Sequence, residues 1–425
     1  MRERVGAELE PFSINPRRRF ALARPDATTT GLCEPSVTAI EASIRKTMSQ
    51  GAPGMIVGVA RHGQPLFVRP YGTANLEHDV PVRRVTVFKL ASVTKQFTAA
   101  AVLRLVQRGR LSLDDALAQF VPELPQASTV TLRQLLVHTS GLPDYAEDPE
   151  GQRTKSVART SQDMVAWIAR LEPRFLFEPG TRWAYSNSNY ALLGVVIERV
   201  SGKSLDVFFR EQLFQPAGLT QTAFDDPVDV VAYRAQGYKK AKRTSGGYKN
   251  AEWISPTIPG AAGGLRTTVD DLLRWSHALF SGVVLQPATL RQMIAPGTLS
   301  DGRTTKSGMP EAWQRGLDSD YGMGVFVTNT SAGRRVWHGG DIEGFSTWLA
   351  HYPETGVTIA VLQNSESADI DEAALHEALF GPRAADCEHR RPTTQPGPAP
   401  SRATAASART SRAGAAGGRA GSSAP

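Results

Sequence analysis

The order of elements along the chain predicts an α/β protein of the α+β type: an antiparallel sheet drawn from both chain ends and flanked by helices, with an all-helical region inserted between them. Three observations carry this. Strand-like stretches cluster near residues 55–68 and 347–362, helical spacing fills the chain between them, and one of those helices is apolar on nearly every face.

Residues 1–31 are polar and irregular. Met55–Ala60 and Pro65–Val68, joined through His62-Gly63-Gln64, then read as a hairpin. Helical spacing or helix punctuation follows over Ser92–Gln107, Ser161–Arg170, Asn189–Val200 and Val269–Phe280. Within the first of these, Phe97–Val106 is apolar all round, which requires burial between layers. Thr347–Tyr352 and Val357–Leu362, joined through Pro353-Glu354-Thr355-Gly356, form a second hairpin. The expected organisation is one domain over residues 32–382, with its sheet part at about 32–91 and 260–382 and its helical part at about 92–259. Residues 383–425 are an Ala/Arg/Ser/Thr/Pro/Gly tail that cannot bury a core and is expected to be disordered.

Composition narrows the function classes. Of 425 residues, 41% are hydrophobic and 21% charged, within the ordinary globular range. The formal charge of +7 lies at the ends, with net +5 over 383–425 and net +2 over 1–31. The middle of the chain is formally neutral, so no basic groove and no nucleic-acid partner is expected. Cys33 and Cys387 stand near the edges of the ordered region and read as free thiols; no zinc spacing occurs. Arg17-Arg18-Arg19 precedes an apolar run too short for an export signal, and no stretch reaches membrane-span length. The expected location is cytoplasmic, or periplasmic or secreted if the start site is misassigned.

Ser92 and Lys95 stand three residues apart at the mouth of the apolar helix. At helical spacing such side chains share a face and can touch. A serine hydroxyl needs a partner to take its proton, and a lysine removed from water becomes a better base. The unpaired N–H groups of a helix N-terminus suit the negative charge of a tetrahedral intermediate. Taken alone, the same common tetrapeptide reads first as a capping serine followed by a solvated lysine. Phe177 to Asn187 forms a turn that delivers Tyr185 and Asn187 just before another amphipathic helix. Tyr185 suits a base or proton shuttle if a cation lowers its pKa, and Asn187 can donate to a substrate carbonyl; the plain alternative is a helix cap with a packed tyrosine. In Trp337-His338-Gly339-Gly340-Asp341, paired glycines allow a backbone to run close against a ligand, and the N–H groups of Ser92 and Asp341 are candidates for an oxyanion hole; a bulge or turn is the plain alternative.

Ser92-x-x-Lys95, Tyr185-x-Asn187 and His338-x-Gly340, in this order, resemble the motif triplet of the penicillin-recognising serine hydrolases, in the class C β-lactamase-related branch that includes D-stereospecific peptidases and esterases. The resemblance covers about residues 36–365. It includes Leu135 to Leu142, Pro179-Gly180, and Ala262-Gly263-Gly264-Leu265 ahead of Asp270-Asp271-Leu272. It implies a β-lactamase/transpeptidase-like fold and an acyl-enzyme on Ser92, with Lys95 and Tyr185 sharing the proton work in an order the motif leaves open. It further implies that Asn187 contacts the substrate amide and that His338, Gly339 and Gly340 wall the site. The expected substrate is a small or peptide-like ester or amide, with D-Ala-D-Ala carboxypeptidase or β-lactamase activity, or a non-catalytic binding role, as alternatives. No cofactor or metal is expected. Where class C enzymes carry Lys-Thr-Gly, this chain has His338-Gly339-Gly340, so a fixed cation and a hydroxyl that bind a substrate carboxylate are missing. His138 and Ser140 read as structural residues of their turn.

Overall fold

A computed structural model describes residues 28–29 and 31–382, apart from 243, 245, 246 and 367. The expected tail at 383–425 and most of the N-terminal segment lie outside the described residues.

Among the described residues the main sheet holds nine strands: β1 (Thr28–Thr29), β2 (Gly54–Arg61), β3 (Gln64–Asn75), β4 (Val80–Pro81), β5 (Asp320–Tyr321), β6 (Phe326–Thr330), β7 (Gly333–Ile342), β8 (Phe345–Tyr352) and β9 (Val357–Gln363). Their order is β1-β3-β2-β9-β8-β7-β6-β5, with β4 on β3. All pairs are antiparallel, and β9 against β2, with Leu362 opposite Ile56, stitches the two chain ends together. Both expected hairpins are present with longer strands, and Thr28–Thr29, inside the segment expected to be irregular, pairs with Val68 and Phe67.

Alternation in the central strands shows why the sheet is covered on both faces. Ile56, Ala60, Ala360 and Leu362 join the large core beneath the helices. Met55, Val57, Val59, Ile359 and Val361 join a second core under α1 (Glu34–Gln50) and the C-terminal helix Glu372–Phe380. Lys46 near the end of α1 binds Asp371, the cap of that last helix, at 2.8 Å. This packing brings the ends of the folded body together. Cys33, at the start of α1, is disulfide-bonded, which corrects the free-thiol expectation; the other cysteine, Cys387, lies outside the described residues. Proximity between chain ends is a tertiary fact that local composition does not record.

On the opposite face lie α2 (Thr94–Gln107), α3 (Asn187–Ser201) and α4 (Val269–Phe280). The all-round apolar pattern of α2 is explained by its position: every residue from Thr94 to Leu103 is buried. Phe97 is fully buried and stacks on Trp275 of α4 at 3.7 Å between ring centroids. The inserted region is not purely helical. Ala223–Phe224 joins Phe88–Lys89 and Leu265–Thr267 in a small three-stranded sheet, and Tyr238–Lys240 pairs with Tyr248–Asn250. These strands are only two or three residues long, too short for period-2 alternation to register. Among the described residues, no helix is long and apolar enough to cross a membrane.

Truncating Phe97 to Ala removes a stacked ring from a filled interior. The expected loss is about 3–5 kcal/mol of stability, read as a lower urea midpoint at unchanged slope.

Candidate functional site

Of residues 90–103, Ser92 alone is not fully buried. It occupies a short 3-10 turn, Ala91–Val93, that leads into α2. Ala91 just before it takes φ of 49°, a left-handed conformation that a side chain disfavours. The segment is held from two sides. Leu90 donates its N–H to Leu265 O at 2.8 Å, extending the small sheet, and β7 passes so near that a Cβ on Gly340 would lie 2.7 Å from Ser92 N and 2.8 Å from Leu90 O. The two glycines of the motif therefore differ. A Cβ on Gly339 would meet nothing closer than Thr347 O at 3.9 Å. Ser92 and Asp341, whose N–H groups are the oxyanion-hole candidates, lie on the two segments that meet here.

Lys95 is fully buried, and its amine has three neighbours: Ser92 Oγ at 3.1 Å, Asn187 Oδ1 at 2.7 Å and Ala262 O at 2.8 Å. Burial pushes its pKa down to about 7, opposed by the Asp144 carboxylate. The two carbonyl oxygens can only accept, so they take two N–H bonds of the amine. The remaining position of Nζ faces Ser92. In the neutral amine that position is a lone pair, the geometry a base requires.

Tyr185 is half-buried, with its hydroxyl oxygen enclosed and without a hydrogen bond of good geometry. Ser92 is close enough to favour the phenolate, but burial outweighs it and holds the phenol well above its ordinary range. The condition attached to a base role, a cation lowering this pKa, is therefore not met. The Lys95 amine sits over the ring face, 4.7 Å from its centroid. Asn187 opens α3, donating from Nδ2 to Asp144 Oδ2 at 2.8 Å.

His338 is buried and neutral, its pKa pushed down to about 3 by burial and by the Lys95 ammonium. Its Nδ1 hydrogen-bonds Gly339 O, which only accepts, so Nδ1 carries the hydrogen and Nε2 accepts from the Tyr321 hydroxyl at 3.0 Å. Both ring nitrogens are engaged by the protein. His138 has the structural role expected of it: its Nδ1 accepts from Ser186 N at 3.2 Å, fixing the Tyr185–Asn187 loop, and its ring lies 4.5 Å from that of Tyr185. Ser140 bonds Asn189 and the turn backbone.

Ser92, Lys95, Tyr185, Asn187 and the His338–Asp341 strand thus converge on one place. The structure adds Asp144, the Ala262 carbonyl, Tyr321 and Trp313. Trp313, on the short helix Glu311–Leu317, is 37% exposed and stacks on Tyr185 at 6.0 Å. Asp144 lies two residues beyond the Leu135–Leu142 segment, but an acid in a turn reads as a cap, and indeed its Oδ1 accepts from Ala146 N. Ala262 acts through its backbone, which no residue type encodes. Among the described residues, no cluster of acids, histidines or cysteines suits a metal ion.

A model of the family described as Beta-lactamase matches residues 40–381. The chain belongs to this family. It is 30% identical over 340 residues to a penicillin-binding protein of Bacillus subtilis (strain 168), covering 76% of this chain and 71% of that one. Among solved structures it is similar to the D-amino acid amidase of Ochrobactrum anthropi SV3 complexed with L-phenylalanine amide, at 25% identity and TM-score 0.68 over 83% of this chain and 99% of that one. It is also similar to the octameric penicillin-binding protein homologue from Pyrococcus abyssi, at 25% identity and TM-score 0.68 over 81% of this chain and 76% of that one. Membership of the Beta-lactamase family makes this protein a serine hydrolase, in keeping with the resemblance and the β-lactamase/transpeptidase-like fold.

The contrast between the two motif glycines is testable. Gly340→Ala forces backbone against backbone and is expected to cost about 1–3 kcal/mol and to lower turnover on the order of 100-fold. Gly339→Ala should leave the melting temperature within about 2 °C of wild type; comparing the two melting curves checks it.

Proposed function

We propose that Ser92 is the acylated nucleophile, Lys95 the base that first takes its proton, and Tyr185 the shuttle that passes that proton to the leaving group. The observation that carries this reading is the amine of Lys95, buried beside the one reachable residue of its segment, with two N–H bonds taken by carbonyls and the third position facing Ser92 Oγ at 3.1 Å. Its pKa near 7 leaves a large fraction of the amine neutral at physiological pH. The Tyr185 phenol, kept protonated by burial, suits donation better than abstraction. As the Ser92–carbonyl bond forms, the N–H groups of Ser92 and Asp341 stabilise the oxyanion. The leaving group departs with the proton that came from Ser92, and water then reverses the sequence on the acyl-enzyme.

For substrate we propose neutral amides or esters of small or peptide-like acyl groups, with D-amino-acid amides first, in line with the similar amidase. The neutral, internally bonded His338 supports this reading over a class C β-lactamase or a D-Ala-D-Ala carboxypeptidase, whose substrates present a carboxylate to this strand. Strand β6 stops at Phe326 opposite Trp337, so residues 338–342 have no strand partner on that side among the described residues, leaving an edge for an extended substrate backbone. Trp313 beside Tyr185 supplies an apolar wall. The disulfide at Cys33 favours an oxidising compartment over the cytoplasm.

Incubation with a fluorophosphonate is expected to add one adduct, on the peptide containing Ser92, and Ser92→Ala to abolish both labelling and turnover; an adduct on another serine sinks the assignment. Below its pKa Lys95 holds a proton and cannot accept another, so kcat/KM should fall as pH drops through about 7 and level off above it. D-Phenylalanine amide should be hydrolysed with a higher kcat/KM than nitrocefin, and the reverse order would return the β-lactamase reading.

A further inference from the structure

The direction in which the Asn187 amide points is set by one residue. We infer that Asp144 is a positioning residue for proton transfer from Ser92: its carboxylate holds the Asn187 amide with the oxygen toward Lys95, which orients the Lys95 amine on Ser92. The inference rests on the reading that Ser92 and Lys95 carry the chemistry.

The argument is one of donors and acceptors. An amide can be turned end for end without changing its shape, and the two orientations differ only in which end accepts. Asp144 Oδ2 lies 2.8 Å from Asn187 Nδ2, and a carboxylate accepts, so the amino end must face Asp144. Asn187 Oδ1 is thereby fixed 2.7 Å from Lys95 Nζ. With Ala262 O at 2.8 Å, this spends two N–H bonds and leaves the third position of Nζ toward Ser92 Oγ. Turned the other way, Asn187 would present N–H groups to the amine, which would then spend its lone pair on Asn187 and not on Ser92.

Asp144 is itself held by the loop that follows. Its Oδ1 accepts from Ala146 N at 3.0 Å, and Tyr145 N donates to Ser188 Oγ at 3.0 Å, tying this turn to the first turn of α3. The carboxylate has an electrostatic role as well. The other polar groups around the amine are His138, His338, Tyr185 and Tyr190; burial keeps both histidines and both phenols neutral. Asp144 is the carboxylate that favours the Lys95 ammonium, and burial acts against both charges, raising the acid and lowering the amine. One residue therefore sets the direction of the amine and raises the pH at which it becomes free, against the larger effect of burial.

The test is the pH dependence of Ser92 labelling by a fluorophosphonate in the full chain, for wild type and Asp144→Asn. Asn can still cap Ala146, but it presents either an oxygen or an amino group to Asn187 and carries no charge. The expected result is labelling slower by about tenfold to 100-fold at the plateau, with the acid limb moved down by about one pH unit because the ammonium has lost its opposing charge. Asp144→Glu should recover the acid limb. Equal plateau rates and superimposable pH profiles for Asp144→Asn and wild type would overturn the inference while leaving Ser92 as nucleophile. A lowered melting temperature with an unmoved acid limb would also overturn it, by showing a structural role alone. If Asp144→Asn does not fold, Asp144→Ser, which retains a capping oxygen but is too short to reach Asn187, serves with the same expected outcomes. Wild type that labels elsewhere than Ser92 would bring down both this inference and the reading beneath it.

Discussion

An amine enclosed on every side, with no carboxylate in direct contact, is the constraint around which this site is arranged. Taking an ammonium out of water is so unfavourable that the group prefers to release its proton instead. For Lys95 the surrounding groups permit this without leaving polar atoms stranded, because two carbonyl oxygens satisfy the N–H bonds of the neutral form and Ser92 accounts for the remaining position. Had Asp144 been in direct contact with the amine, Coulomb attraction would have favoured the ammonium and left no free base near neutral pH. Interposing Asn187 keeps the carboxylate close enough to orient the amide and far enough to leave the amine weakly basic.

Such burial needs a helix that is itself interior, and the fold supplies one. The chain ends close into a sheet covered on both faces, and α2 lies under it against α3 and α4, so its first turn opens at the junction of sheet and helices. Access is then confined to Ser92. The backbone is pressed from both sides at this point, as the positive φ of Ala91 and the contact of Gly340 with Ser92 N and Leu90 O show. Strain of this kind persists only where surrounding packing over-determines the conformation. Here that packing comes from β7 and from the small sheet that ties Leu90 to Leu265.

The parts of this arrangement legible in the sequence are those written in side-chain type and spacing. Ser92 and Lys95 are three apart on one helix, Tyr185 and Asn187 sit at a helix start, and α2 declares its burial by being apolar all round. The hairpins were legible because short apolar runs flank turns that carry Gly63, or Pro353 and Gly356. What stayed hidden has two physical causes. Ala262 acts through a carbonyl, a group every residue owns, and Asp144 looks like any acid in a turn until a partner 43 residues away is placed against it. Tyr185 shows the limit of reading charge from residue type: a base role required a cation to lower its pKa, but burial of the hydroxyl raises it. The disulfide at Cys33 was hidden too, since a cysteine alone does not tell which residue it meets in space.

The same electrostatics bears on what the site can recognise. With Lys95 tending to neutrality and His338 neutral with both nitrogens engaged, neither residue offers a fixed cation to a substrate anion. A carboxylate brought to that part of the cleft would lose hydration without an opposing charge, whereas an amide or ester would lose far less. On the proposed reading, recognition falls to directional and apolar contacts: the edge of β7 beyond Trp337, which has no strand partner on that side among the described residues, the open space over Gly339, and the face of Trp313. Backbone hydrogen bonds report the course of the chain, and a flat aromatic wall reports bulk; neither reads charge. On the proposed reading, the chemistry at Ser92 acts on whatever neutral acyl group that edge can align, and selectivity comes from the shape of the surrounding loops, because neither a backbone edge nor an aromatic face distinguishes one neutral acyl group from another by charge.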